Sequence, residues 1–155
     1  MKFVIIDTKY LNYLRQYEKH IYYSEGEKEN RKFVGVLLNV SGFDYYAPLT
    51  SKVNNNYSTD FHIYDKNIKI AEIKINNMIP VLDNSLVKEF DYKINGDETI
   101  EEMKYKILLK KEMKYINNNI DRLNKLVNKI YAGKMKNPTV FDFKMLEEKA
   151  KEYKV

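Results

Sequence analysis

Residues 31–52, RKFVGVLLNVSGFDYYAPLTSK, constrain the fold of this chain more than any other stretch. Residues 33–40 are almost wholly apolar and rich in β-branched side chains, and residues 43–49 form a second apolar and aromatic run. The dipeptide Ser41-Gly42 between them is typical of a tight turn. The pattern therefore predicts a β-hairpin, and with it an antiparallel sheet.

The register of this hairpin predicts where its polar residues meet. With the turn dipeptide as the two loop residues, Val40 lies opposite Phe43 and Lys32 lies opposite Ser51. Directly opposed residues have Cβ atoms roughly 5 Å apart. An amine and a hydroxyl would therefore meet beyond the hydrophobic body of the sheet. A solvated strand end, where such residues are common, is the alternative explanation.

Pro48 could change this register. Because proline has no N–H, it is expected to force a bulge or to end the ladder. A bulge would slip the pairing by one residue and give Thr50 the position opposite Lys32. In the unslipped register Arg31 lies opposite Lys52. Either arrangement gathers two hydroxyl groups and up to three cations at the open end.

Composition limits the classes of function. A chain of 155 residues predicts one domain, residues 1–155. Its 27 basic side chains, 14 tyrosines and 7 phenylalanines suit a surface that binds phosphate and stacks bases, although a soluble lysine-rich protein would share them. The absence of cysteine excludes disulfides and thiolate chemistry. No apolar run approaches the ~20 residues of a membrane span and the N-terminus lacks the pattern of a signal peptide, which predicts a cytoplasmic protein without membrane contact.

The remaining segments predict strands first and helices later. The expected elements are a strand at 3–6, a helix capped by Thr8, a second hairpin at 61–64 and 68–75 with a bulge across Ala71-Glu72, an extended segment at 78–81, a helix capped by Asp83, and a final helix that starts at 137–139. This order predicts an α+β domain with a mostly antiparallel sheet.

The clearest helical periodicity lies in the C-terminal half. Apolar residues recur there in alternating steps of four and three, at Leu109, Met113, Ile116, Ile120, Leu123, Val127 and Ile130. The pattern predicts a long helix that docks on the sheet or on the last helix, with a coiled-coil dimer as the alternative.

The side chains at the hairpin end suit metal-free cleavage of RNA. The two histidines, His20 and His62, lack metal-site spacing, and glycine-rich phosphate loops are absent. In metal-free cleavage the substrate's own 2′-OH attacks the adjacent phosphorus. The protein then has to move protons, hold the in-line geometry and stabilise charge on the phosphoryl oxygens. Lysine, arginine, serine and threonine can do this, whereas DNA, which has no 2′-OH, would not be cut.

Eight short segments occur in order over most of the chain: MKF, TKYLNYL, KFVGVLL, YYAPLTS, FH, INNMIPV, LLKKEMKYI, and finally DF followed by LE. Together they resemble the toxins of type III toxin–antitoxin systems, the ToxN/AbiQ family. The resemblance implies a compact, highly twisted sheet flanked by helices, as in Kid/MazF-like toxins. It implies a sequence-selective endoribonuclease that uses no metal or cofactor.

The same resemblance implies RNA partners. The family's toxins are suppressed by a small pseudoknot RNA that the toxin cuts from a tandem-repeat transcript. Toxin and RNA assemble head to tail into closed complexes. Cellular or phage mRNA is the expected substrate, and several such systems abort phage infection.

Roles for individual residues also follow from the resemblance. The family's Thr-Ser pair after Ala-Pro-Leu corresponds to Thr50 and Ser51. Its catalytic lysine corresponds to Arg31 in a gapless alignment, or to Lys32 by the hairpin register. Lys52 stands one position before the family's T-S-x-K lysine and is its candidate replacement.

The remaining candidates are weaker matches. His62 matches a family F-H, and it either takes part in proton transfer or is a hydrogen-bonded strand residue. Glu27 stands where the family has a tyrosine, so Tyr22 or Tyr23 would take that role. Lys9 and Tyr10 are candidates for the RNA groove, although the helical spacing of Tyr10 equally predicts a core position.

The leading hypothesis is thus an endoribonuclease that leaves 2′,3′-cyclic phosphate and 5′-OH ends. A non-catalytic nucleic-acid-binding regulator is the alternative, and a structural protein that oligomerises through the apolar seam is a third interpretation. Both of the first two predict salt-dependent RNA affinity, so cleavage and not binding separates them.

Overall fold

The computed structural model describes residues 1–22, 31–52, 56–135 and 139–155. Within these ranges the strands are β1 (Lys2–Ile6), β2 (Phe33–Gly35), β3 (Asn39–Val40), β4 (Phe43–Thr50), β5 (Asp60–Asp65), β6 (Ile68–Lys74), β7 (Ile79–Val81) and β8 (Val87–Glu89). The helices are α1 (Thr8–Arg15), α2 (Ile100–Asn118), α3 (Ile120–Tyr131) and α4 (Phe143–Glu152). None of the helices in the described ranges is long and apolar enough to cross a membrane.

The strands form one sheet built around β4. Its main order is β5-β6-β4-β2-β1-β8, and β3 and β7 also pair with β4. Every strand pairing within the described ranges is antiparallel. The prediction of an α+β fold with a mostly antiparallel sheet and flanking helices is confirmed.

The first hairpin forms, but its register changes along its length. Val40 pairs with Phe43 as predicted, and Ser41 and Gly42 both have positive φ, as a two-residue hairpin turn requires. Nearer the open end Phe33 pairs with Pro48. This pairing is two residues away from the predicted register.

Residues 36–38 cause the slip, because they leave the β2 ladder. The Leu37 N–H donates to the Tyr45 carbonyl, and the Tyr45 N–H donates to Leu38. Lys32 consequently lies opposite Leu49, whose N–H donates to the Lys32 carbonyl at 3.0 Å. The predictions that Ser51 or Thr50 lies opposite Lys32 were both wrong, because the extra residues are on the β2 side and Pro48 stays in the ladder.

The second hairpin contains the predicted bulge. Ile63 pairs with Ala71, whereas the next residue, Tyr64, pairs with Lys69. Ile70 is therefore the extra residue, one position before the predicted site.

The prediction of a helix after Asp83 was wrong. Asp83 caps only one 3₁₀ turn, in which its carboxylate accepts the Ser85 N–H at 2.9 Å. The chain then extends as β8 and places Val87 opposite Ile6. Unpaired backbone groups along β1 outweigh the local capping signal, since an edge strand gains hydrogen bonds by accepting a partner.

The apolar seam folds into two helices instead of one. Asn119 separates α2 from α3 at φ −122° and ψ 26°. The seam residues Leu109, Met113, Ile116, Leu123, Val127 and Ile130 are buried within this one chain. Helix α2 packs on β5, where the ring centroids of Phe61 and Tyr115 lie 6.1 Å apart. The predicted docking on the sheet is thus confirmed.

The first and last helices form, but their predicted starts were wrong. Asp7 and not Thr8 caps α1, since its carboxylate accepts the Tyr10 N–H at 3.1 Å, and α4 begins at Phe143 instead of at 137–139. Asp142 caps α4, and its inner side buries Phe143, Leu146 and Ala150. Residues 137 and 138 of the predicted start lie outside the described residues.

Candidate active site

A cavity of about 430 Å³ opens between the ends of the first hairpin and helix α2. The hairpin side contributes five of the predicted site residues: Arg31, Lys32, Thr50, Ser51 and Lys52. Leu49 lies with them, and α2 supplies the opposite wall through Tyr105, Leu108, Leu109 and Glu112. The five residues converge despite the register slip, because β2 and β4 are neighbouring antiparallel strands in either register.

Thr50 fixes the path of the chain as it leaves β4. Its side chain is 9% exposed, and its Oγ1 accepts the Lys52 backbone N–H at 3.1 Å. A hydroxyl that bonds a backbone N–H two residues on holds a turn. Ser51 and Lys52 are exposed at this turn, so both can reach a ligand in the cavity.

Lys32 is held between aromatic rings with little access to solvent. The side chain is 8% exposed. Its Nζ lies 4.2 Å from the ring centroid of Phe90 and 5.6 Å from that of Tyr105. Burial lowers the pKa of the Lys32 amine, because the charged form loses hydration.

Arg31 lies at the edge of the cavity, against an aromatic ring. Its Cζ lies 3.8 Å from the ring centroid of Tyr22, which is within cation–π distance. Tyr22 is therefore next to the site, as the sequence predicted for Tyr22 or Tyr23. Tyr23 and Glu27 lie outside the described residues.

Glu112 is a buried carboxyl in the α2 wall. Its side chain is 2% exposed, and its Oε2 has no hydrogen-bond partner within the described part of the chain. Burial raises the pKa of Glu112 to about 7. Burial also raises the pKa of Tyr105, and the charge of Glu112 raises it further. Tyr105 and Glu112 lie about two helical turns apart on α2, and both line the cavity.

Sequence reasoning missed Glu112, Tyr105 and Phe90. For Glu112 a signal was present, because Leu109, Glu112, Met113 and Ile116 have the spacing of one helix face. A glutamate on an otherwise apolar stripe predicts a buried carboxyl. For Phe90 and Tyr105 no local signal exists, since only the packing of β8 and α2 brings them to Lys32.

His62 lies on β5, and it is not one of the described residues that line the cavity. Glu72 of β6 pairs with His62 on one side and with Thr50 on the other. The His62 Nδ1 is 3.5 Å from the Glu72 carboxylate and 3.5 Å from the Lys69 amine. Lys74 lies 3.3 Å from the same carboxylate. This ionic cluster favours the interpretation of His62 as a hydrogen-bonded strand residue.

The two candidates on α1 are not among the described residues that line the cavity. Tyr10 is 1% exposed, and its hydroxyl donates to the Pro80 carbonyl. The ring belongs to the core, so the prediction that it lines an RNA groove is not supported. Lys9 is exposed on the same helix.

The described residues contain no group of three or more histidine, aspartate or glutamate side chains placed to hold a metal ion.

Comparison with known proteins identifies the family. The model of the toxin ToxN of type III toxin–antitoxin systems matches residues 2–151. The chain belongs to the ToxN family. It is 34% identical over 167 aligned positions to endoribonuclease ToxN of Bacillus thuringiensis subsp. kurstaki, covering 99% of this chain and 84% of that relative. The resemblance inferred from the sequence segments is confirmed.

Two solved structures share the fold of this ToxN-family chain. A toxin of a bacterial type III system, selectively inhibited by a non-coding RNA pseudoknot, has a TM-score of 0.83 and 31% identity over 98% of this chain and 96% of that chain. A protein of a bacterial antiviral system regulated by a processed non-coding RNA has a TM-score of 0.81 and 28% identity over 99% of both chains. The roles of the individual cavity residues stay predictions.

Proposed function

We propose that this ToxN-family toxin is a metal-independent, sequence-selective endoribonuclease whose active site is the cavity between the first hairpin and α2. The 2′-OH of the RNA attacks the adjacent phosphorus, which leaves a 2′,3′-cyclic phosphate and a 5′-OH. The observation that carries the proposal is the convergence of two hydroxyl groups and three cationic groups on one cavity of about 430 Å³. That volume lies in the range of small-ligand pockets.

Each hairpin residue has a task that its chemistry fits. Ser51 and Thr50 position the scissile phosphate, Ser51 directly and Thr50 also through the turn that it holds. The Arg31 guanidinium, a planar group with several N–H donors, stabilises charge on the phosphoryl oxygens. Lys52 adds a second charge. Burial lowers the pKa of the Lys32 amine, which makes its ammonium form a better proton donor, so Lys32 is suited to acid–base chemistry.

The RNA partners of the toxin meet this same cavity. An inhibitor that the enzyme itself cuts can occupy the path of the product, so a pseudoknot antitoxin RNA would cover the cavity and its cationic edge. The pseudoknot-inhibited toxin and the RNA-regulated antiviral protein support such a partner. Toxin and RNA would form closed head-to-tail complexes, with cellular or phage mRNA as the other substrate and phage defence as the outcome.

The whole chain acts as one unit in this proposal. The family model spans residues 2–151, which supports a single domain over residues 1–155. The cytoplasm is where this toxin would meet both mRNA and its antitoxin transcript.

The deciding experiment incubates RNA-free protein with end-labelled RNA of mixed sequence in excess EDTA. We expect discrete fragments with 2′,3′-cyclic phosphate ends from the wild type. The Ser51→Ala variant should fold normally and cut at least about 100-fold more slowly, because it loses a hydrogen bond to the phosphate in the transition state. DNA of the same sequence should stay intact.

Ser85→Ala is the matched control, since Ser85 is exposed outside the cavity. It should cut like the wild type. Undiminished cleavage by Ser51→Ala would remove Ser51 from the site. RNA binding without any cleavage by folded wild-type protein would instead favour a non-catalytic regulator.

A further inference from the structure

Among the described residues that line the cavity, Glu112 is the one with a carboxyl side chain. It lies on α2, across the cavity from the turn that carries Ser51 and Lys52. With 2% of its side chain exposed and its Oε2 unpartnered among the described residues, it forms part of the cavity wall. A buried polar group without a partner is costly for a fold, so the position calls for an explanation.

The proposed cleavage needs a group that the hairpin does not readily supply. A 2′-OH has to lose its proton before or during attack on phosphorus, so a proton acceptor is required. The titratable and charged groups that line the cavity are Arg31, Lys32, Lys52, Tyr105 and Glu112. An arginine cannot accept a proton, and an ammonium group donates instead of accepting. An ionised carboxyl is the natural acceptor in this set.

We propose that Glu112 is the general base that accepts the 2′-OH proton of RNA in this cavity. The assignment rests on the proposed function, because it names a partner for the metal-free chemistry at the hairpin end. It makes Glu112 a catalytic residue in contact with the ribose.

The step balances with two proton transfers. The Glu112 carboxylate takes the proton from the 2′-OH as the bond between the 2′ oxygen and phosphorus forms. The bond between phosphorus and the 5′ oxygen breaks, and the Lys32 ammonium gives its proton to that leaving oxygen. Products are the cyclic phosphate, the 5′-OH, a neutral Glu112 and a neutral Lys32. Exchange with water restores both groups.

The surroundings suit these two roles. Burial raises the pKa of Glu112 to about 7 and lowers the pKa of Lys32, which makes the carboxylate a stronger base and the ammonium group a stronger acid. A base with a pKa close to the working pH combines a useful ionised fraction with adequate basicity. The two groups also come from facing sides of the cavity, Lys32 from the hairpin side and Glu112 from α2, which suits an in-line displacement.

The test compares the pH dependence of kcat/KM for the wild type and Glu112→Gln in EDTA. For the wild type, kcat/KM should rise with pH up to about 7, as the base ionises. Glu112→Gln should fold, because it removes a buried ionisable group while keeping the shape. Its kcat/KM should fall by at least about 100-fold, and the rise of kcat/KM with pH should vanish.

Two further variants sharpen this comparison. Glu112→Asp keeps a carboxyl on a shorter side chain. It should recover part of the lost kcat/KM, and its kcat/KM should again rise with pH. Glu148→Gln removes an exposed glutamate of α4, and it should match the wild type at every pH.

A modified substrate distinguishes base from acid. RNA with sulfur in place of the 5′ bridging oxygen has a leaving group that needs no proton. Lys32→Met removes the proposed acid and should cut ordinary RNA slowly. It should regain most of the lost activity on the sulfur substrate. Glu112→Gln should stay slow on it, since the 2′-OH still has to lose its proton.

Several outcomes would overturn the inference. Wild-type activity in Glu112→Gln would do so, and so would a slow variant that keeps the wild-type pH dependence. Rescue of Glu112→Gln by the sulfur substrate would show that Glu112 is the general acid instead. A changed cleavage sequence with unchanged pH dependence would show that Glu112 recognises a nucleobase. A wild type that cuts only with added metal would overturn the proposed function first, before any variant is compared.

Discussion

Lys32 and Glu112 show how burial changes the chemistry of single residues around the cavity. The Lys32 amine lies against Phe90 and Tyr105, and the Glu112 carboxyl lies in the wall of α2. Loss of hydration disfavours the charged form of each, so the two pKa values move towards neutrality from opposite directions. Thr50 acts differently, because its hydroxyl stays neutral and organises the backbone of the turn.

The raised pKa of Glu112 predicts a specific pH dependence of stability. The pKa is about 7 in the folded protein, against 4.5 for an ordinary glutamate. Between these values the folded state binds more protons than the unfolded state, so the free energy of unfolding falls as pH rises. Glutamine does not ionise, so this fall in the free energy of unfolding is absent from Glu112→Gln. Its stability relative to the wild type should increase by about 3 kcal/mol between pH 4 and pH 7.5.

Urea unfolding of both proteins at several pH values measures this difference. The exposed Glu148→Gln variant serves as the control, and its stability relative to the wild type should change little over the same range. A constant difference between Glu112→Gln and the wild type would show that Glu112 titrates normally in the folded protein.

Strand β4 organises the elements of the molecule. It pairs with β2, β3, β6 and β7. It also joins the helices, because the Tyr45 hydroxyl donates to the Glu147 carboxylate, as does the Tyr131 hydroxyl at 2.7 Å. Glu147 ends the LE segment, residues 146–147, which follows DF at 142–143. This segment is thus part of the contact between α3, α4 and the sheet.

Gly35 at the end of β2 allows this close packing on β4. A Cβ atom at Gly35 would lie 2.9 Å from the Tyr45 carbonyl oxygen and would overlap the Tyr46 ring. Gly35→Ala should therefore lower the free energy of unfolding by about 2–3 kcal/mol, measured by urea unfolding, since overpacking forces neighbouring groups to move.

Gly96→Ala is a useful comparison for this substitution. No atom of the described residues lies within 4 Å of a Cβ added at Gly96, but the φ of Gly96 is +94°. Backbone strain alone should cost about 1 kcal/mol there. An effect of Gly35→Ala no larger than that of Gly96→Ala would show that β2 and β4 can separate at little cost.

At the scale of the whole molecule, the apolar seam is satisfied inside one chain. Leu123, Val127 and Ile130 are fully buried without a second copy. The RNA-free protein should therefore sediment as a monomer at micromolar concentration, because no seam remains to drive association.

Leu126 on the outer face of α3 provides the control for that measurement. It is only partly buried and lies beside Arg122 and Tyr131. A dimer that dissociates on Leu126→Lys would place an interface on this face, and it would revive the interpretation of α3 as an oligomerisation element.

The sequence predicted those features that depend on neighbours along the chain. The turn at Ser41-Gly42, the bulge near Ile70 and the inward face of α4 follow from turn chemistry and periodicity. The candidate residues from Arg31 to Lys52 were found for the same reason, since they flank the two strands of one hairpin. The resemblance to the ToxN family added the function that these residues suggest.

Tertiary packing decided the rest. Whether residues 87–89 become helix or strand depends on the unpaired edge of β1, which is far away in sequence. The slip at residues 36–38 depends on how Leu37 and Leu38 bond to Tyr45. The second wall of the cavity, with Tyr105 and Glu112, exists only because α2 docks across the hairpin ends. Local sequence set the hydroxyl and cationic groups of the site, whereas burial, which only the packed structure creates, set the surroundings that tune Lys32 and Glu112.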